Sequence, residues 1–112
     1  PKHATLKLQS NAQQRGRGFL VPVLSGLSVT VTVQVQKDGS YAGDAPRLLV
    51  LANPSVNVAE TVLDTHTAAS GSFETLTGTI GPTTDTGVLE FCVDCNGVAG
   101  NVFLDSWTAV AA

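Results

Sequence analysis

At 112 residues the chain is long enough for one domain around a single hydrophobic core. Charged residues make up only 13% and the net charge is −3, which excludes the concentrated basic surface that nucleic-acid binding needs. No apolar run approaches the roughly 20 residues of a membrane-spanning helix, so neither nucleic acid nor membrane is expected as a partner.

In chain order, Ala4–Gln9 (ATLKLQ) alternates weakly, with Leu6 and Leu8 on one face. The polar SNAQQRGRG that follows reads as a loop. Gly18–Leu24 (GFLVPVL) predicts a strand, and Pro22, which cannot donate to a ladder, places it at an edge or a bulge. Ser28–Lys37 then alternates without a break. Val29, Val31, Val33 and Val35 point one way; Ser28, Thr30, Thr32, Gln34 and Gln36 point the other. Asp38-Gly39 turns the chain into a loop, SYAGDAP, before Arg47–Ala52 (RLLVLA), whose unbroken apolar run predicts burial on both faces or a central position. Thr61–Thr67, Gly71–Ile80, Val88–Asp94 and Asn101–Val110 are four further strands, the last two joined through the Gly-rich NGVAG.

Eight short strands with no helical period predict an all-β, antiparallel β-sandwich occupying residues 1–112 as a single module. The four valines form its inward layer, each contributing roughly 1.5–3 kcal/mol when buried. Leu89, Phe91 and Val93 are the expected facing layer, across about 10 Å. The charges are split along the chain. Six bases and two acids precede Leu48, a net +4, whereas seven acids and no base follow it. In space the strands of the two halves either interleave and mix these charges or form opposed faces that attract neighbouring copies.

Chemistry is harder to find. Cys92-Val93-Asp94-Cys95 has redox or zinc spacing, but on an extended strand positions i and i+3 face opposite sides about 10 Å apart, beyond the ~7 Å disulfide limit. Two independent thiols are expected, or a strained local disulfide if the strand stops at Asp94. Asp64 and His66 share a strand face, yet no nucleophile elbow accompanies them, and His66 reads as solvated. Glu60, Glu74 and Glu90 lie on different strands, and Arg15-Gly16-Arg17-Gly18 reads as a solvated loop. No catalytic residue is assigned and no enzyme is expected. The candidate contact residues are Tyr41, in a loop beside glycines and expected to be exposed, and Trp107, which strict alternation puts on one face with Phe103 and Asp105 and which otherwise reads as a large core or sheet-edge residue. Thr30, Thr32 and Gln34 join them as part of an uncharged hydrogen-bonding stripe.

The segments ATLKLQ, FLVPV, SVTVTVQVQK, the loop ending in APRL and the closing GNVFLDSW together resemble jelly-roll modules of the carbohydrate-binding-module type. Versions of these also recur in bacteriophage structural proteins and bacterial surface proteins. The resemblance implies a jelly-roll of about eight strands. It also implies a strand ahead of ATLKLQ, where only Pro1-Lys2-His3 stand here, so the chain is expected to be a fragment or a subunit completed by its neighbours. In such modules an acidic residue of the closing strand often holds a structural calcium, with its other ligands from the region ahead of ATLKLQ, which makes Asp105 the candidate metal ligand; the alternative is a hydrogen-bonded Asp at a strand bulge, and no other cofactor is expected. The expected role is a non-catalytic structural or adhesion module on a virion or cell surface, such as a capsid decoration or tail component contacting neighbouring copies or other structural subunits. The alternative is a carbohydrate-binding module that meets surface glycans.

Overall fold

The computed structural model describes residues 6–9, 13–15, 18–55 and 60–112. Among the described residues nine strands run in order: β1 (Leu6–Gln9), β2 (Gln13–Arg15), β3 (Phe19–Val23), β4 (Val29–Lys37), β5 (Ala42–Ala52), β6 (Thr61–Thr65), β7 (Glu74–Ile80), β8 (Gly87–Ala99) and β9 (Asn101–Ala111). They form two antiparallel sheets, one ordered β1-β9-β4-β7 and the other β2-β8-β5-β6, with β3 also pairing with β8. Successive strands from β6 to β9 alternate between the sheets, as in a jelly-roll sandwich. No helix among the described residues is long and apolar enough to cross a membrane.

The valine stripe does what its period requires. Val29, Val31, Val33 and Val35 are fully buried, and Leu89, Phe91 and Val93 face them from the other sheet within one apolar cluster. In β5, Leu48 and Val50 join this core, while Leu49 is equally buried and pairs with Cys92 on β8. The continuous apolar run is thus covered on both faces. Pro22 sits on β3, which pairs on one side only, opposite Val88. β2 and β3 together make that edge, pairing end to end along β8.

Four expectations change, the first being that NGVAG is strand rather than turn through Ala99, since β8 stays paired beyond Asp94 and only Gly100 separates it from β9. SNAQQRGRG contains a short strand, β2, because Gln13–Arg15 has β8 beside it to pair with. SYAGDAP is largely strand as well: β5 begins at Ala42 and follows β8 through two register shifts. Gly71–Phe73, taken as the start of a strand, lies outside it, since β7 begins at Glu74.

On the side where β6 and β7 form the two sheet edges, carboxylates occupy backbone donors. Asp64 accepts from the Thr77 and Thr65 amides, each at 2.9 Å. Glu74 accepts from the Thr67 and Ala68 amides at 2.7 and 2.8 Å and from the Thr67 hydroxyl at 3.0 Å. Charged side chains spent on edge N–H groups block the pairing of another strand there.

His66 lies beneath these contacts and is buried, not solvated. Its Nε2 is 3.1 Å from the Val35 carbonyl, so that nitrogen carries the hydrogen, and 3.6 Å from Glu74 Oε1; Nδ1 is buried without a partner. Burial pushes its pKa below the ordinary 6.5, against the opposing pull of Glu74 and with the help of Lys37. A folded-state pKa below the unfolded value means the unfolded chain binds the proton more readily. This contribution to stability is therefore intact above about pH 6.5 and lost as pH falls through the folded pKa. The thermal midpoint is expected to drop between pH 7.5 and 5.5, and less so in His66→Gln, which keeps a donor for Val35; identical slopes in the two proteins would contradict this.

Candidate functional site

The site is set by how β5 accommodates a proline. Between Asp44 and Arg47 the register with β8 shifts, so that Ala45 and Pro46 bulge where Pro46 has no N–H to give the ladder. The Pro46 carbonyl instead accepts from the His66 amide at 2.9 Å. Just before the bulge, Gly43 has φ +141°, and a Cβ there would run into Gly97 and the Asn96 carbonyl. Glycine thus lets β5 and β8 approach closely, and this fixes where Asp44 leaves the ladder.

Beside the bulge a cleft of about 320 Å³ opens, lined by Asp44, Ala45, Arg47, Thr65, Asp94 and Asn96. The registers arrange these residues in two transverse rows. Arg15 on β2 stands opposite Asp94 on β8, Asp94 opposite Arg47 on β5, and Arg47 opposite Thr65 on β6; the second row is Gln13, Asn96 and Asp44. Asp94 is only 2% exposed and is held by a two-bond fork from Arg47, Nε to Oδ1 at 3.1 Å and Nη2 to Oδ2 at 3.0 Å. Such a fork fixes the guanidinium plane as well as neutralising the carboxylate. Asp94 holds the Arg47 pKa above its ordinary value through hydrogen bonding and charge, with smaller contributions from Asp44 and Glu60. Asp44, Thr65 and Asn96 remain exposed around this fixed pair. The cleft therefore offers donors and acceptors on a rigid base, suited to a ligand rich in hydroxyl groups. No nucleophile–base pair occurs in it.

Of these residues, Arg15 reads in the sequence only as part of a solvated loop, and nothing local sets Arg47, Asp94 or Asn96 apart. Their separation along the chain hides the rows, which exist only once β2, β8, β5 and β6 are side by side.

The residues singled out from the sequence lie elsewhere. Trp107 faces the interior. Asp105 opposes Gln34, but Thr32 opposes Thr108, so β9 carries an extra residue there, and Ser106 takes a φ of +56°. This bulge breaks the alternation, turning Trp107 onto the core side, where it packs against the cluster and stacks on Phe19 with ring centroids 4.9 Å apart. Tyr41, expected to be exposed, is half-buried against the same core, and its hydroxyl donates to the Asp44 carbonyl. Thr30, Thr32 and Gln34 line the outer face of the four-stranded sheet, far from the cleft in topology. They bond across strands: Thr30 with Thr79 at 2.9 Å, Thr32 with Thr108, and Gln34 Nε2 to Thr75 at 2.6 Å.

Asp105 has one buried carboxylate oxygen without a hydrogen-bond partner. Calcium takes 6–8 oxygen ligands, and among the described residues no three His, Cys, Asp or Glu side chains converge. Cys92 and Cys95 lie within β8, which continues to Ala99. Cys95 joins the core cluster and Cys92 lies outside it, so strand alternation separates the two thiols and no disulfide joins them. Asp64 does not orient His66, because its carboxylate is engaged with the Thr65 and Thr77 amides.

Solved structures share this architecture. The C-terminal domain of EclA, a sugar-binding protein, is 14% identical with a TM-score of 0.62, covering 98% of this chain and 79% of that one. The family 16 carbohydrate-binding module-2 is 16% identical, with a TM-score of 0.56 over 93% of this chain and 74% of its own. The CBM22-2 xylan-binding domain of Paenibacillus barcinonensis Xyn10C is 13% identical, with a TM-score of 0.55 over 85% and 71%. A chain of infectious bursal disease virus, Gt strain, is 9% identical with a TM-score of 0.53, matching 99% of this chain but 30% of its own length. No family model matches the sequence, and no curated protein matches it. The fold is that of a carbohydrate-binding-module-like β-sandwich.

Proposed function

We propose that this domain is a non-catalytic module that binds carbohydrate outside the cell, through the cleft on the five-stranded sheet. The observation that carries the reading is the buried Asp94 clamped by Arg47 at the base of a polar, strand-built cleft. A rigid charged pair surrounded by exposed Asp44, Thr65 and Asn96 presents hydrogen-bonding groups without reorganisation, which is how small sites fix polar ligands. The sugar-binding and xylan-binding neighbours of the same fold add support. The test is a glycan array followed by calorimetry, with Asn96→Ala and Asp44→Ala as variants. Each is expected to weaken the best ligand about tenfold or more, roughly the effect of one hydrogen bond to a charged or buried partner; an array without any signal contradicts the assignment.

A second reading is favoured by a different face. Thr30, Thr32, Gln34, Thr75, Thr79 and Thr108 form an uncharged, mutually hydrogen-bonded surface, and the viral chain matches nearly the whole of this domain. In that reading the module is a structural subunit of a virion that contacts neighbouring copies through the threonine face.

A further inference from the structure

Sugar sites that hold extended chains usually rely on aromatic platforms, because a ring stacked on each sugar supplies affinity cumulatively along the chain. None of the six aromatic side chains lines this cleft. Phe91 is in the core, and Phe19 and Trp107 stack on each other against it. Tyr41 is engaged with the Asp44 carbonyl, Phe103 is on the other sheet opposite Gln36, and Phe73 lies in the connection before β7.

What remains is a compact polar set. Asp94 and Asn96 are two residues apart on β8, about 6.8 Å at ~3.4 Å per residue, so the two rows are separated by roughly the width of one sugar ring. At about 320 Å³ the cleft is near the lower end of ligand pockets. Across it, Arg47 donates, Asp44 accepts, and Thr65 and Asn96 can do both, a pattern that matches adjacent hydroxyls, each of which is donor and acceptor at once. The charge of Arg47 is already taken up by Asp94, and Asp44 and Glu60 lie within its field, so the described side chains give an anionic sugar little to pair with.

Resting on the carbohydrate reading above, we infer that the cleft takes one neutral terminal sugar residue, held edge-on by hydrogen bonds with Arg47 as donor, Asp44 as acceptor, and Asn96 and Thr65 as either, without aromatic stacking. The ligand is thus the end of a glycan, and the length of the chain behind it contributes little.

The experiment titrates the full chain by calorimetry and saturation-transfer NMR. The probes are methyl glycosides of neutral hexoses and pentoses, the corresponding methyl uronates, and neutral di- to hexasaccharides ending in the same residues. The expected result is a methyl glycoside affinity within about tenfold of the best oligosaccharide, equivalent to no more than one further subsite. Asn96→Ala and Asp44→Ala are each expected to weaken the methyl glycoside about tenfold or more, and Phe73→Ala to leave it unchanged, with unaltered thermal midpoints in all three. Affinity that climbs more than about a hundredfold with chain length, or that depends on Phe73, overturns end-recognition while leaving carbohydrate binding in place. Preference for the uronates overturns the neutral-ligand assignment while leaving carbohydrate binding in place. Failure of every sugar to bind removes both this inference and the reading it rests on.

Discussion

Replacing Phe91 with alanine is expected to cost about 4 kcal/mol, within the 3–5 kcal/mol typical of a buried phenylalanine. Phe91 is the largest fully buried side chain, reaching from β8 toward the valine layer of β4, and it belongs to the cluster that both sheets share. Truncation therefore removes contacts from two layers at once, and neither sheet can collapse into the gap without breaking its own ladder. Domains of this size are stable by only about 5–15 kcal/mol, so the thermal midpoint should fall by on the order of 15 °C. Urea unfolding monitored by circular dichroism measures the loss directly. Phe73→Ala is the comparison, because Phe73 is 44% exposed and its removal should change little. Equal, small effects at both positions would mean that the two sheets do not share one core.

The second large effect concerns the Arg47–Asp94 pair, and it is asymmetric. Asp94 is 2% exposed and Arg47 42%, so the two partners have different access to water once separated. In Arg47→Met the apolar stem is retained but a buried carboxylate is left without its fork. The expected cost is about 3 kcal/mol, the low end for breaking a buried pair because one partner already touches solvent. In Asp94→Asn no charge is stranded, since Arg47 can turn to water, and the expected cost is about 1 kcal/mol. The double variant should lie close to Asp94→Asn, because the penalty of the stranded carboxylate vanishes with the charge. Equilibrium denaturation of the three proteins forms the test. Were Asp94→Asn the most damaging of them, the pair would be contributing attraction rather than concealing a desolvation cost.

Edge protection has a similar logic. Asp64 and Glu74 look in the sequence like ordinary surface carboxylates, and Asp64 invites pairing with His66. Asp64 is committed to the Thr77 amide on the β7 edge, and Glu74 to the Thr67 and Ala68 amides in the connection that follows β6. The donations to Glu74 from Thr67 and Ala68, with His66 nearby, hold its pKa below the usual carboxylate value even though burial pushes the other way. Asp38 is also lowered, chiefly by the Asn101 amide at 2.8 Å, which ties the β4–β5 turn to the start of β9.

The sequence by itself determined the β-sandwich and its inward layer, because strand alternation is a local property: two residues per period place Val29 to Val35 on one face whatever lies opposite. It also limited Pro22 to an edge or a bulge, since a missing N–H cannot serve a regular ladder; the separation of Cys92 from Cys95 follows from extended geometry once β8 runs past Asp94. Only the tertiary structure decided the positions of Trp107 and Tyr41, the burial of His66 and the existence of the cleft. A bulge at Ser106 shifts the period by one and reverses every later side chain of β9. The rows that join Arg15, Asp94, Arg47 and Thr65 are products of register between strands far apart in the chain, set by packing and hydrogen bonding across the whole sheet.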